Sequence, residues 1–244
     1  MISKKIISFL VAGLFSCNLF ANDIMPKFFD AKYKAYYKGD DVGFMDRSFY
    51  KENDLYTLDS HSKIKGSILF VPLEDERHEI SNFFVDEEGK YHPVKYVMNR
   101  TGSFADFVMK ADFDYYKKEV SMSYKDRASV KEINKNILDN VIYQLRIQHE
   151  MKNGNRGNVQ YDITYKTGFR DFNFQYIGEE NISIEGEKIK TLKLKQIRNN
   201  KKGEKKGAFI WVDPNRDFIV TKVIYFNKSG KEEAKFELIK YKRR

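Results

Sequence analysis

From Lys27 onward polar and apolar residues alternate: Phe29, Ala31, Tyr33, Ala35 and Tyr37 fall on one side of an extended chain, and Asp30, Lys32, Lys34 and Tyr36 on the other. A period of two belongs to a strand with one buried face. Lys38-Gly39-Asp40-Asp41 has turn chemistry and Val42 to Tyr50 returns, which predicts an opening hairpin. Leu55 to Ile64, Ser67 to Val71, His78 to Val85 and Tyr91 to Arg100 read as further strands, the last two joined across Asp86-Glu87-Glu88-Gly89. Pro93 cannot donate to a ladder, so it marks a bulge or an edge position. Phe104 to Ala111 and Glu119 to Tyr124 form a weaker pair, and Lys125 to Leu138 reads as an extended connection running across the sheet. Beyond Gly154 the signals sharpen again: Asn158 to Tyr165, Arg170 to Tyr176, Glu180 to Ile184 and Lys188 to Ile197 are short strands. Ala208 to Val212, Phe218 to Phe226 and Lys231 to Tyr241 complete the series, separated by turns such as Asp213-Pro214-Asn215.

One stretch breaks the alternation. From Asp139 to Met151, Leu138, Val141, Ile142 and Leu145 share a helical face while Tyr143, Ile147 and Met151 fall nearly opposite. Asp139 is the expected N-cap and Gly154 the stop. A helix apolar on two sides must be gripped from both. The predicted fold class is therefore mainly β: a curled, half-barrel-like antiparallel sheet of about a dozen strands wrapped around one α-helix. With no repeat and no Gly/Ser/Pro linker, residues 22–244 are expected to form a single domain.

The first 21 residues stand apart. Lys4 and Lys5, an apolar run from Ile6 to Phe15 and a short exit segment to Ala21 have the form of a secretory signal peptide, with cleavage expected between Ala21 and Asn22. The competing processing is lipidation at Cys17, because Leu14-Phe15-Ser16-Cys17 resembles a bacterial lipobox. The apolar run is too short to span a bilayer, so no transmembrane span is expected in the mature chain. At 41% hydrophobic and 32% charged the 244-residue chain falls in the globular range. Its formal net charge of +9 is scattered, and the dense runs Lys201 to Lys206 and Lys240 to Arg244 read as solvated loop tip and tail, the alternative being contact with anionic lipid headgroups or a polyanion; no nucleic-acid partner is expected.

Little in the chain points to chemistry. The four histidines, His61, His78, His92 and His149, have no ligand-like spacing, and Cys17 is the only cysteine, so neither metal nor cofactor is expected. Gly102-Ser103-Phe104 lacks the context of a nucleophile elbow, and Gly154-Asn155-Arg156-Gly157 follows a helix instead of opening one. His149 is expected as a charged cap at the closing end of the helix. Arg146 lies between the two apolar faces and needs a partner, either a carboxylate such as Glu79 or Glu180 or a bound ligand. Trp211 is a packing residue or, alternatively, a binding platform.

Several short pieces recur in order: Phe29-Asp30-Ala31-Lys32-Tyr33 with Tyr37-Lys38-Gly39, Glu79-Ile80-Ser81-Asn82-Phe83, Pro93-Val94-Lys95-Tyr96, Asp139 with Tyr143-Gln144-Leu145-Arg146, Gly178-Glu179-Glu180, Lys190 to Leu194, and Trp211-Val212-Asp213-Pro214. In this order they resemble the bacterial envelope proteins of the domain of unknown function 3108 family, over Phe28 to Tyr241. The chain departs from it at Asn140-Val141-Ile142, where the family often has Pro-Leu-Ser, and at Ile219-Val220, where a Pro is common. The resemblance implies export to the periplasm, or outer-membrane anchoring if Cys17 is lipidated, and a curved sheet distantly like the half-barrels of lipoprotein carriers. It implies no reaction.

The expected function is that of a non-enzymatic envelope protein binding a lipid or other apolar ligand in its concave sheet, with an apolar cavity of some hundreds of Å³ beside the helix. The alternative is a structural or interaction protein with a filled core that acts on an envelope protein partner; a hydrolase is the third class.

Overall fold

The computed structural model describes residues 25–68, 71–103, 106–199, 205–227 and 229–244. The leader, the Ala21/Asn22 cleavage point and Cys17 lie outside the described residues. In chain order the elements are β1 (Phe29–Tyr37), β2 (Asp40–Glu52), β3 (Leu55–Ile68), β4 (Val71–Val85), β5 (Tyr91–Gly102), β6 (Phe107–Asp114), β7 (Glu119–Tyr124), β8 (Arg127–Glu132) and β9 (Ile137–Leu138). Then follow α1 (Tyr143–Lys152), β10 (Asn158–Tyr165), β11 (Gly168–Ile184), β12 (Glu187–Asn199), β13 (Lys205–Asp213), β14 (Ile219–Phe226) and β15 (Glu232–Arg243).

All fifteen strands belong to one sheet, where about a dozen were expected, in the order β8-β7-β6-β5-β4-β3-β2-β1-β15-β14-β13-β12-β11-β10-β9. Each neighbour in the sheet except β15 beside β1 is also a neighbour in sequence or across α1, because turns of a few residues leave no other strand within reach. Between β2 and β3 the turn is made by Asn53 and Asp54 with φ of 47° and 66°, the twist that suits a tight hairpin. The connection expected across the sheet from Lys125 to Leu138 instead forms β8 and the two-residue β9, which pairs in parallel with β10. The strands expected at Arg170 to Tyr176 and Glu180 to Ile184 are one, interrupted by a bulge at Tyr176/Gly178. Another bulge lies beside Pro93, where Val94 of β5 has no partner on β4, in keeping with the proline's missing donor.

The sheet curls but does not close. The two ends of the sheet meet without a ladder, at the β10–β11 turn: Ser129 Oγ on β8 donates to Thr167 O at 2.9 Å, and Lys166 N donates to Met109 Sδ on β6 at 3.0 Å.

Inside the curl, α1 is held from two sides. Tyr143 stacks on Phe174 of β11 at 5.5 Å and meets Phe172 edge-on at 5.6 Å. His149, on the opposite face, lies 5.7 Å from Tyr91 of β5, which stacks in turn on Phe83. Leu145, Ile147 and Met151 are fully buried between these walls. Asp139 does receive the amides of Val141 and Ile142, at 2.9 and 3.0 Å, but this caps a turn ahead of the helix, and α1 itself starts at Tyr143 without a side-chain cap. A smaller apolar cluster of Ile182, Ile184 and Trp211 lies apart from the main core.

Ile147→Ala is expected to lower stability by about 2–5 kcal/mol, because the curled sheet cannot collapse into the space left. In urea unfolding the midpoint falls at constant slope; a loss under about 1 kcal/mol would show that the sheet does not grip the helix.

Candidate functional site

The helix occupies only one end of the concave space. At the other end, between the first turn of α1 and the tips of the β1–β2, β10–β11 and β14–β15 hairpins, a cavity of about 1830 Å³ remains. One wall is built by β1 to β5, whose inward positions fall into rows across the ladder. Tyr33, Met45, Ser62, Arg77 and Arg100 are successive partners in one row, and Ala31, Arg47, Ser60 and Glu79 in the next. The far wall includes Val223, Tyr225, Phe236, Phe172 and Gln196.

The charges on the first wall are mostly paired. Arg100 Nε donates to Asp75 Oδ1 at 2.8 Å. Arg77 lies 3.5 Å from Glu79, which also accepts from Tyr96 Oη at 2.6 Å and Asn140 Nδ2 at 2.9 Å. Arg77 sits inside the curl, yet 38% of its side chain is open, because it looks into the cavity. Arg47 is bound to neutral groups: Nε donates to Ser60 Oγ at 3.3 Å, Nη1 donates to Gln144 Oε1, and the guanidinium lies 5.6 Å from the Tyr33 ring centroid. Tyr33 in turn donates to Val220 O of β14 at 2.9 Å, which ties the two walls together.

Behind this row sits Asp139, fully buried. Burial pushes its carboxyl up to about 6, against the hydrogen bonds from Ser81 Oγ and the amides of Ile142 and Val141 that favour the charged form. His149 corrects an expectation. It is not a charged cap: burial, with Arg146 adding, pushes the imidazole down to about 4, so it packs as a neutral ring.

Neither of the two side chains considered for ligand binding lines the cavity. Arg146 pairs with Glu150 at 2.6 Å and donates to Gly89 O at 2.6 Å, so its carboxylate is neither Glu79 nor Glu180. Trp211 is buried beside Ile182 and Ile184, and its Nε1 donates to Glu180 Oε2 at 3.1 Å. The residues that do line it, Arg47, Arg77 and Gln196, were not singled out by sequence reasoning, although Arg47 stands in the apolar phase of its strand between Met45 and Phe49. The ladder also sets His61 opposite His78, with each ring closed by a carboxylate, Glu76 at 2.6 Å and Asp59 at 2.9 Å. Among the described residues no group of three His, Cys, Asp or Glu side chains is placed to hold a metal ion.

The model of a protein family of unknown function, DUF3108, matches residues 32–238. Among solved structures, a β-barrel-like protein of the domain of unknown function DUF1849 from Brucella abortus is similar over 90% of this chain and 99% of that one, with a TM-score of 0.62 at 10% identity. A protein from Bacteroides fragilis described as exported, with a YmcC-like fold, aligns over 88% and 95% of the two chains at a TM-score of 0.35 and 9% identity. A protein from Parabacteroides distasonis described as a lipoprotein aligns over 90% and 98% at 0.37 and 11% identity. No curated protein matches the chain. The Brucella structure supports the curled β architecture.

Asp139 gives the site a defined pH dependence. Its folded pKa lies above its ordinary 3.8, so its contribution to stability is complete below that value and is lost as pH rises through about 6. His149 acts with the opposite sign, losing its contribution as pH falls from 6.5 through about 4, so the readout must be a difference between variant and parent. Asp139→Asn keeps an oxygen for the two amides and is expected to gain about 2–3 kcal/mol on the parent between about pH 4 and pH 7 in urea unfolding. A difference independent of pH would mean that Asp139 does not change charge in that window.

Proposed function

The chain belongs to the DUF3108 family of proteins of unknown function, and from the geometry of its own residues we propose that it binds an amphiphilic ligand in the space beside α1, without transforming it, as an exported protein of the cell envelope. The observation that carries this reading is the cavity of about 1830 Å³. Pockets for small ligands commonly measure about 300–1,000 Å³, so this one has room for a chain-bearing molecule.

Its lining corrects the expected apolar pocket of some hundreds of Å³. Aromatic and aliphatic side chains such as Phe172, Val223 and Phe236 share the surface with Arg47, Arg77, Glu79 and Arg100. That mixture suits a molecule with both an apolar body and a polar end. The lining supports binding over turnover. No histidine or cysteine is among the lining residues described, the inner carboxylates Asp75 and Glu79 are engaged by arginine, and the other lining acids, Asp40, Asp41, Asp171 and Glu233, lie at or near the hairpin tips at the mouth. A general base needs a free lone pair within reach of the proton it takes. The cavity also counts against the alternative of a filled core acting only through its surface.

Export rests on the leader-like first 21 residues, with the periplasm as the destination, or the outer membrane if Cys17 is lipidated. Among the described residues no helix is long and apolar enough to cross a membrane.

Native mass spectrometry of the full chain recovered from its envelope fraction is expected to show a co-purifying amphiphile. Ser62→Trp places an indole in the cavity from a half-buried position between Met45 and Arg77 and is expected to lower occupancy about tenfold with little change in melting temperature. A ligand-free protein that takes up no lipid probe overturns the reading.

A further inference from the structure

One cation in the concavity has no anion of its own. Arg47 is 9% exposed, and its guanidinium meets only Ser60 Oγ, Gln144 Oε1 and the face of Tyr33. Among the described residues no carboxylate lies within ion-pair distance of it. The nearest candidate in its row, Glu79, is taken by Arg77, Tyr96 and Asn140, and Asp75 is taken by Arg100. A guanidinium carries five N–H donors, and the hydrogen bonds at Arg47 use two of them. Removing such a group from water without a counter-charge is unfavourable, and neutral acceptors offset the loss only in part. Arg47 lines the cavity, so a partner can reach it from there.

A second, independent feature stands on the far wall. Gln196 is 1% exposed and lines the same cavity, and neither its Nε2 nor its Oε1 has a hydrogen-bond partner. Its ladder neighbours, Phe174 and Ala208, offer only apolar side chains. A buried amide left wholly unpaired is rare in native proteins unless something outside the chain satisfies it.

We propose that the ligand of this cavity is an acidic amphiphile, whose carboxylate or phosphate pairs with Arg47 and whose neutral hydrogen-bonding group meets Gln196. This rests on the cavity being a binding site and adds the charge of what is bound. Arginine suits the role because its planar fork engages two oxygens of one acidic group at once. The apolar part then lies against the aromatic side chains between the two anchors.

The test compares lysophosphatidate with the monoacylglycerol of the same chain, which differ only in the phosphate, by titration calorimetry on the full chain. The parent protein is expected to bind lysophosphatidate about tenfold or more tightly than the neutral lipid. Arg47→Gln is expected to erase that preference, so that the variant binds lysophosphatidate no more tightly than it binds monoacylglycerol. Gln196→Leu is expected to weaken both lipids alike. Equal binding of the two lipids by the parent protein overturns the acidic ligand and leaves the cavity reading standing. Inorganic phosphate binding as tightly as lysophosphatidate, with no response to monoacylglycerol, assigns the site to a free anion and overturns the amphiphile. Binding of none of the three overturns both. The comparison on the parent protein needs no variant to fold.

Discussion

A sheet that curls through fifteen strands encloses a volume set by strand number and twist, not by the side chains available to fill it. Most of the molecule's character follows from that constraint. α1 contributes ten residues, enough to fill one end of the enclosed space and no more. At that end the packing is that of an ordinary protein interior, with Phe49, Phe83 and Tyr91 stacked in series against the helix. At the other end the sheet continues past the point where the helix begins, and none of the described residues fills the space against its inner face.

The chemistry of the inner face changes at that boundary. Next to α1 the inward positions of β4 and β5 are Ser81, Phe83 and Tyr96, and over the following three rows they become Glu79 opposite Met98, then Arg77 opposite Arg100, then Asp75. Groups of the second kind are excluded from a dry core unless paired, and here pairing and an open cavity together make them tolerable. The turn from Asp139 to Ile142 sits on the boundary itself. Asp139 holds the amides of the turn that leads into the helix and receives Ser81 Oγ, and Asn140 donates to Glu79. The position of the helix and the electrostatics of the cavity are therefore set by the same few side chains.

Much of this architecture could be read in the chain. The alternation around Phe29 to Tyr37 and the two-sided helix defined a curled sheet with a gripped rod, because burial on one face of a strand and on two faces of a helix leaves a direct mark on residue order. The weak strands were harder: β8 shows little alternation because its positions are mostly exposed, and β9 is too short to have a period. The bulge at Gly178 hid the continuity of β11 for a related reason, since an extra residue reverses the phase of everything beyond it. The candidate site was the least legible part. Arg47, Arg77 and Gln196 come from β2, β4 and β12 and line one cavity only through the curl, while Trp211 drew attention as an aromatic and Arg146 as a cation between the two apolar faces of the helix. His149 shows the same gap: its place at the helix end was correct, but the burial that removes its charge depends on Tyr91, far away in sequence.

The order of pairing has one further consequence, for the way the molecule is made. β1 is the first strand of the described chain and lies in the middle of the sheet, with Phe29 paired to Arg243 of β15 on one side and to Phe49 of β2 on the other. Half of its hydrogen bonds therefore wait for the last strand to emerge. Until then the nascent protein carries an open central edge and an uncovered apolar face, the condition under which chains pair wrongly with one another. Sequence separation this large also slows closure. The ladder that joins the two halves of the sheet is thus the one for which the growing polypeptide must be shielded longest.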